Sequence, residues 1–192
     1  GPQDRGWEMT RRLNSVKGTL HGRTWEQLRE HTSQEDPTEW REGEILRPGW
    51  GTYTAYRTWD KKKELEHNDD FVTQHGVDFI HELADSGRPW CTYVGCGMPH
   101  DPYVVPRQYL DMYKLDDIPL PPSYGDEMAG KPSVVRRMRS QIFGQLSERE
   151  VRESIRHFRA MCTYLDDLFG RLLTALDQTG QADNTLVLYC AD

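Results

Sequence analysis

Thr185-Leu-Val-Leu-Tyr-Cys190 runs directly into Ala191-Asp192, where the sequence stops. Its aliphatic, β-branched and aromatic residues predict a buried strand bounded by turn residues. In open α/β sheets the carboxyl edge of such a strand faces the binding crevice, so a carboxylate two residues past Cys190 falls where chemistry is done. Asp192 is therefore a candidate metal ligand or acid, with a helix N-cap as its ordinary structural alternative. A chain that stops on such a residue is expected to be an interior piece of a longer protein, cut at its active site.

Working back from that strand, Asp183-Asn184 reads as a turn and Gly180 as the stop of a long helix. Ser147-Glu-Arg-Glu150 has the form of a capping box. Apolar residues follow at Val151, Ile155, Phe158, Cys162, Leu165, Phe169, Leu172 and Leu176, in steps of three and four. Unbroken to Thr179 the helix would reach about 50 Å at roughly 1.5 Å per residue, long enough that a kink at Gly170 is considered. An earlier helix is predicted from Asn68 or Asp69, with Phe71, Val72, Gly76, Phe79, Ile80 and Leu83 on one face and Gly87 just past its end. It feeds Pro89-Trp-Cys-Thr-Tyr-Val-Gly-Cys96, which reads as a second buried strand. A turn-rich loop, Gly97-Met-Pro-His-Asp-Pro-Tyr103, follows, then Pro106 opening a short helix with Tyr109, Leu110 and Tyr113. Ile118-Pro-Leu-Pro-Pro122 is a rigid extended connector.

Strand, helices, strand is the order of a parallel crossover, which brings both carboxyl ends to the same edge. His100, four residues past the first strand, and Asp192, two past the second, are thereby expected in one crevice. The fold class is α/β, with a largely parallel central sheet flanked by helices. Residues 68–192 form its helix-strand-helices-strand core. Residues 1–67 read as irregular surface structure with a short helix near Thr24–His31, turns at Arg47-Pro48-Gly49 and Gly51, and a solvated basic run at Lys61–Lys63.

Composition narrows the function. The 192 residues are 36% hydrophobic and carry 24 basic against 31 acidic side chains, a net charge of −7. Nucleic-acid binding needs a basic footprint, so nucleic acid is not an expected partner. Arg136, Arg137 and Arg139 form a local basic cluster whose ordinary reading is a solvated face. No apolar run is long enough to span a membrane. Cys91, Cys96, Cys162 and Cys190 have neither disulfide-framework nor zinc spacing, and are expected to be buried free thiols. Gly95-Cys-Gly97 lacks the third glycine and the helix of a phosphate loop.

An aspartate at a sheet edge can supply oxygen to a hard divalent cation, and a histidine beside it can donate a proton to a leaving oxygen. Together they suit hydrolysis of an oxyanion ester. Gly97-Met-Pro-His-Asp-Pro-Tyr-Val-Val-Pro106, Tyr109, Met112-Tyr113 and Asp116-Asp-Ile-Pro-Leu-Pro-Pro122 resemble the middle of the sulfatase family of the alkaline-phosphatase superfamily. Leu165-Asp-Asp-Leu-Phe-Gly-Arg-Leu-Leu173 and Asp183-Asn-Thr-Leu-Val187 through Asp192 are similar to that family's long helix and the strand before its metal-binding Asp-His-Gly or Asp-Asn-Gly. Asp4-Arg-Gly-Trp7 and Lys17-Gly-Thr-Leu-His-Gly22 resemble the stretch after its Gly-Lys-Trp-His motif.

The resemblance implies an incomplete sulfatase catalytic domain over 1–192, part of an alkaline-phosphatase-like sandwich. It implies that His100 contacts the sulfate and assists the leaving oxygen, and that Asp192 binds the active-site divalent cation, commonly Ca2+. Formylglycine, matured from a Cys/Ser-x-Pro-x-Arg motif absent from these residues, is expected outside this segment. The implied substrates are sulfate-ester small molecules or sulfated glycans, and the segment alone is expected to be inactive. The rival within the superfamily is a phosphonate or phosphodiester hydrolase, with Mn2+ or another metal. The rival of another class is a non-catalytic relative that binds an anionic glycan or a protein.

Overall fold

The computed structural model describes residues 42–47, 51–59 and 68–191. Asp192, the predicted helix near Thr24–His31, the Pro48-Gly49 turn, the Lys61–Lys63 run and the two N-terminal stretches similar to the sulfatase family lie outside them. The chain divides into two compact units, one built around residues 68–97 with the segment from Leu165 onward, the other around the described residues before 60 with Met98–Tyr164. Helices and small sheets are mixed, as an α/β chain requires.

In the first unit, helix α1 covers Asn68–Ala84. Gly87, at φ +63°, follows the turn that ends it, a conformation glycine adopts without cost. Ile80 of α1 is buried with Ala175 and Leu176, and Val77, Trp90 and Leu172 pack around them. Arg171 pairs with Asp70 and donates to Gln74 at 2.8 Å across the same contact. Gly76 lets the partners come close, since a Cβ there would lie 2.8 Å from Leu172 Cδ2 and 2.9 Å from Val94 Cγ2. Gly76→Ala is therefore expected to destabilise. The helix-propensity gain of about 1 kcal/mol is outweighed by overpacking of about 1–3 kcal/mol against stiff, β-branched Val94. A lowered urea midpoint checks this; a raised one contradicts the close packing.

Both predicted strands are corrected. Among the described residues neither Pro89–Cys96 nor Thr185–Cys190 is hydrogen-bonded into a sheet. In the first segment Trp90, Thr92, Val94 and Cys96 are half-buried while Cys91, Tyr93 and Gly95 are exposed, so the period of two survives with one covered face. In the second, Leu186 is 84% and Leu188 79% exposed. Sequence supplies the extended, apolar character, but a strand is defined by a neighbour. The cysteines are free, as expected, but Cys91 and Cys190 are exposed and only Cys96 and Cys162 are partly covered.

In the second unit, residues expected to be irregular form strands β1 (Glu44–Arg47), β2 (Gly51–Thr54) and β3 (Tyr56–Trp59). β1 and β2 pair antiparallel, Glu44 opposite Thr54. β3 pairs parallel with β4 (Tyr103–Pro106), Tyr56 opposite Tyr103. Burial of Ile45, Ala55 and Tyr56 against Tyr53, Tyr103, Ile142 and Leu146 holds these short strands where local pattern does not. Helix α2 (Arg107–Leu110) follows Pro106, and helix α3 (Ser133–Arg137) leads through a π turn and a 3-10 turn toward Ser147.

Helix α4 runs uninterrupted from Glu148 to Gln178, so Gly170 does not break it. The predicted capping box forms: Ser147 N–H and Oγ–H donate to Glu150 Oε2 at 2.8 and 2.7 Å, and Glu150 N–H reaches Ser147 Oγ at 3.3 Å. At the other end Gly180, φ +66°, closes a Schellman motif. Gln181 N–H donates to Leu176 O at 2.9 Å and Gly180 N–H to Asp177 O at 3.1 Å.

His157 of α4 is 2% exposed and stacks on Tyr56 at 4.8 Å. Its Nδ1–H donates to Glu153 O at 2.7 Å, so Nε2 accepts from Thr58 Oγ at 3.0 Å in the neutral ring. Burial pushes the imidazole below its ordinary range, against the upward pull of Glu153. The folded state thus binds this proton less readily than the unfolded chain. The associated stability is complete above pH ~6.5 and falls as pH drops through the unfolded value toward the folded one. We expect the urea midpoint to decline over that window and His157→Gln to flatten the decline. An unchanged midpoint from pH 7 to 5 would contradict a buried neutral ring.

Candidate active site

The Gly97–Tyr103 loop carries the candidate histidine. At its far end Tyr103 N–H donates to Ala55 O at 2.9 Å as the chain enters β4, and Val105 of β4 is fully buried with Leu110 and Ala160. At its near end Gly97 N–H donates to Asp69 Oδ1 at 2.9 Å. Met98 is buried at 6% exposure, and the Met98–Pro99 and Asp101–Pro102 peptide bonds are cis. The loop is thus held at both ends.

His100 stands out from it, its side chain 80% exposed. Its Nδ1 lies 2.6 Å from Asp101 O and 3.1 Å from Asp101 Oδ1. A carbonyl only accepts, so Nδ1 carries the proton and Nε2 is the nitrogen that can meet a ligand. When the ring is protonated both nitrogens donate. Asp101 is a partner that sequence reasoning missed, although the His-Asp dipeptide was its signal.

Four residues earlier, Cys96 is not a competing nucleophile. Burial, then the charge of Asp69, push its thiol up, away from the reactive thiolate. Burial pushes Cys162 up likewise.

A hard divalent cation takes six to eight oxygens. Among the described residues no group of three or more His, Cys, Asp or Glu side chains is placed to hold a metal. The described residues therefore do not make up a cation site, and the expected convergence of His100 with Asp192 reaches beyond them.

Comparison with known proteins covers the loop, α2 and α4 alike. The family model described as Sulfatase matches residues 28–192. The chain belongs to the sulfatase family. It is 39% identical over 152 residues to the choline-sulfatase of Rhizobium meliloti (strain 1021), covering 74% of this chain and 29% of that protein. It is 28% identical over 138 residues to an arylsulfatase of Clostridium perfringens (strain 13 / Type A), covering 71% of this chain and 28% of that protein. It is 28% identical over 136 residues to the multifunctional alkaline phosphatase superfamily protein PehA of Trinickia caryophylli, covering 64% of this chain and 26% of that protein. The chain thus spans less than a third of the length of these relatives. Within this sulfatase segment the family match covers the His100 loop and the four α-helices found among the described residues.

Proposed function

We propose that the full-length protein to which this sulfatase segment contributes is a sulfuric ester hydrolase, acting on sulfate-ester small molecules or sulfated glycans. The observation that carries the reading is His100, 80% exposed in the Gly97–Tyr103 loop, with Nδ1 committed to Asp101. In this reading protonated His100 donates from Nε2 to the ester oxygen as the S–O bond breaks, and the developing alkoxide or phenoxide leaves neutral. Asp101 O accepts from Nδ1–H, which leaves Nε2 as the nitrogen that donates to the ester.

Asp192 supplies one ligand to a divalent cation, Ca2+ by family preference. The cation, when bound by a complete donor set, would stabilise charge on the transferred group. The 192 residues contain no Cys/Ser-x-Pro-x-Arg motif, so the formylglycine nucleophile belongs to another segment of the full-length protein. By itself the segment is inactive.

A phosphonate or phosphodiester hydrolase is the second reading, favoured by the likeness to the multifunctional superfamily protein of Trinickia caryophylli. Assay of the full-length protein with an aryl sulfate beside an aryl phosphonate ester decides. Faster turnover of the sulfate is expected. Preference for the phosphonate would overturn the sulfatase reading, and turnover of neither would favour a non-catalytic relative.

A further inference from the structure

We infer that a cavity in the second unit, beside the basic cluster, binds an acidic sugar unit of a glycan, one that carries a sulfate or a carboxylate. The site stands on its own geometry; that the glycan is a substrate rests on the proposed hydrolase reading. The cavity has a volume of about 570 Å³ and is lined by residues between Tyr124 and Leu146. That size is within the range of small-ligand sites. Arg136 of α3 and Arg139 and Ser140 of the π turn after it line the cavity together with Tyr124, Asp126 and Glu127. Arg136, Arg139 and Ser140 recur at the i, i+3 and i+4 spacing that puts side chains on one helix face. Arg137 is not among the lining residues, so the cluster that reads as one solvated face divides in two.

The lining is held in place before any ligand arrives. Arg139 is half-buried, donates from Nη2 to Tyr124 O at 2.7 Å and lies 5.3 Å from the centroid of the Tyr124 ring. The loop that carries the acidic residues is tied by its own bonds. Tyr124 N–H donates to Pro121 O at 2.8 Å, Asp126 N–H to Ser123 O at 3.1 Å and Met128 N–H to Asp126 Oδ1 at 2.8 Å. Met128 takes φ +59°, a left-handed conformation that costs a residue with a Cβ. Ordering that is complete beforehand is not charged against binding.

The side chains select the ligand. Two guanidiniums suit the oxygens of a sulfate or carboxylate, which they meet as forked donors. Asp126 and Glu127 balance them, so a bare polyanion meets repulsion as well as attraction. Carboxylates accept hydrogen bonds from hydroxyl groups, and the negative face of an aromatic ring suits the C–H face of a sugar. A sugar with one acidic group uses all three kinds of contact.

Calorimetric titration of the full-length protein with a chondroitin 4-sulfate tetrasaccharide tests the site, with neutral chitotetraose beside it. Binding of the first and not of the second is expected. Arg136 is exposed, so its replacement leaves the fold intact. Arg136→Ala is expected to raise Kd about tenfold, the scale of one charge-assisted hydrogen bond, and Arg136→Glu to abolish binding. Tyr124→Leu is expected to raise Kd about fivefold through the lost ring. Arg137→Ala is expected to stay within about twofold of the parent. No binding of the chondroitin tetrasaccharide, equal binding of chitotetraose, an unchanged Kd in both Arg136 variants, or an equal loss in Arg137→Ala would each overturn the inference. Turnover of 4-nitrophenyl sulfate and of an aryl phosphonate ester, measured in parallel, separates the two readings. Sulfate turnover without Arg136-dependent binding overturns the glycan site alone. Arg136-dependent binding without turnover of either ester leaves the site standing and overturns the hydrolase reading, and with it the glycan as substrate.

Discussion

His100→Ala in the full-length protein is expected to lower turnover of an unactivated sulfate ester by about 100- to 1000-fold, the range found when a proton donor or an oxyanion-stabilising group is removed. The side chain is 80% exposed, so truncation removes almost no packing and leaves the loop's anchors at Asp69 and Ala55 in place. Among the described residues its partners both belong to Asp101: the carbonyl has a second lone pair for water, and the carboxylate is already solvated. The loss should therefore fall on chemistry, with the urea midpoint unchanged. His100→Gln, which can hydrogen-bond but not deliver a proton, should behave like alanine for poor leaving groups. Near-parental turnover in both variants would remove His100 from the mechanism.

The leaving group sets the size of the effect. A phenoxide of low basicity departs without a proton, whereas an alkoxide departing from a sugar or an amino alcohol requires one. The defect should widen steadily along a series of aryl sulfates as the phenol becomes more basic. A uniform defect across the series would point to sulfate binding instead.

What was legible in the sequence follows the range of the interactions involved. α4 could be read because everything that specifies it is local: a capping box at Ser147–Glu150, apolar residues in steps of three and four, and Gly180 closing the Schellman motif. α1 was legible for the same reason. Gly170 does not interrupt α4, since a glycine inside a strongly amphipathic helix costs only about 1 kcal/mol and packing carries the helix through it.

The strands were another matter. β1, β2 and β3 are each four residues long, too short for a period to register. They exist because Ile45 and Tyr56 find cover from Tyr103, Ile142 and Leu146, residues far along the chain. Thr185–Cys190 shows the converse, a strong local pattern with no hydrogen-bonded neighbour among the described residues. The bond from Gly97 N–H to Asp69 Oδ1 is made in space and leaves no mark on spacing.

Glu150→Ala is expected to destabilise the second unit strongly for a change at a polar residue. Glu150 is the N3 residue of the capping box, but its other oxygen leaves the helix: Gly43 N–H donates to Oε1 at 3.0 Å across 107 residues. Gly43 is buried at φ +76°, its carbonyl accepts Ala55 N–H at 2.7 Å, and a Cβ on it would lie 3.0 Å from the Tyr56 ring. One carboxylate therefore caps α4 and ties it to the turn that opens β1. Burial pushes the carboxyl up, but the Gly43 amide, the Ser147 hydroxyl and amide, and Arg149 outweigh it and hold it below its ordinary range. Its stabilisation is present above the unfolded value near pH 4.3 and is lost as pH falls through the lower folded value, beneath the window of His157. Truncation removes the acceptor of a buried amide and dissolves the cap, together about 3 kcal/mol. For a domain of this size that corresponds to a fall in Tm of roughly 6–12 °C. Glu150→Gln keeps an acceptor for Gly43 but sets an amide donor against Ser147 N–H, so it should recover part of the loss. Ser147→Ala, which removes the cap and spares the Gly43 bond, should cost about 1 kcal/mol. If Ser147→Ala proved as costly as Glu150→Ala, the long-range bond would contribute nothing, and the stability of this unit would rest on the helix cap alone.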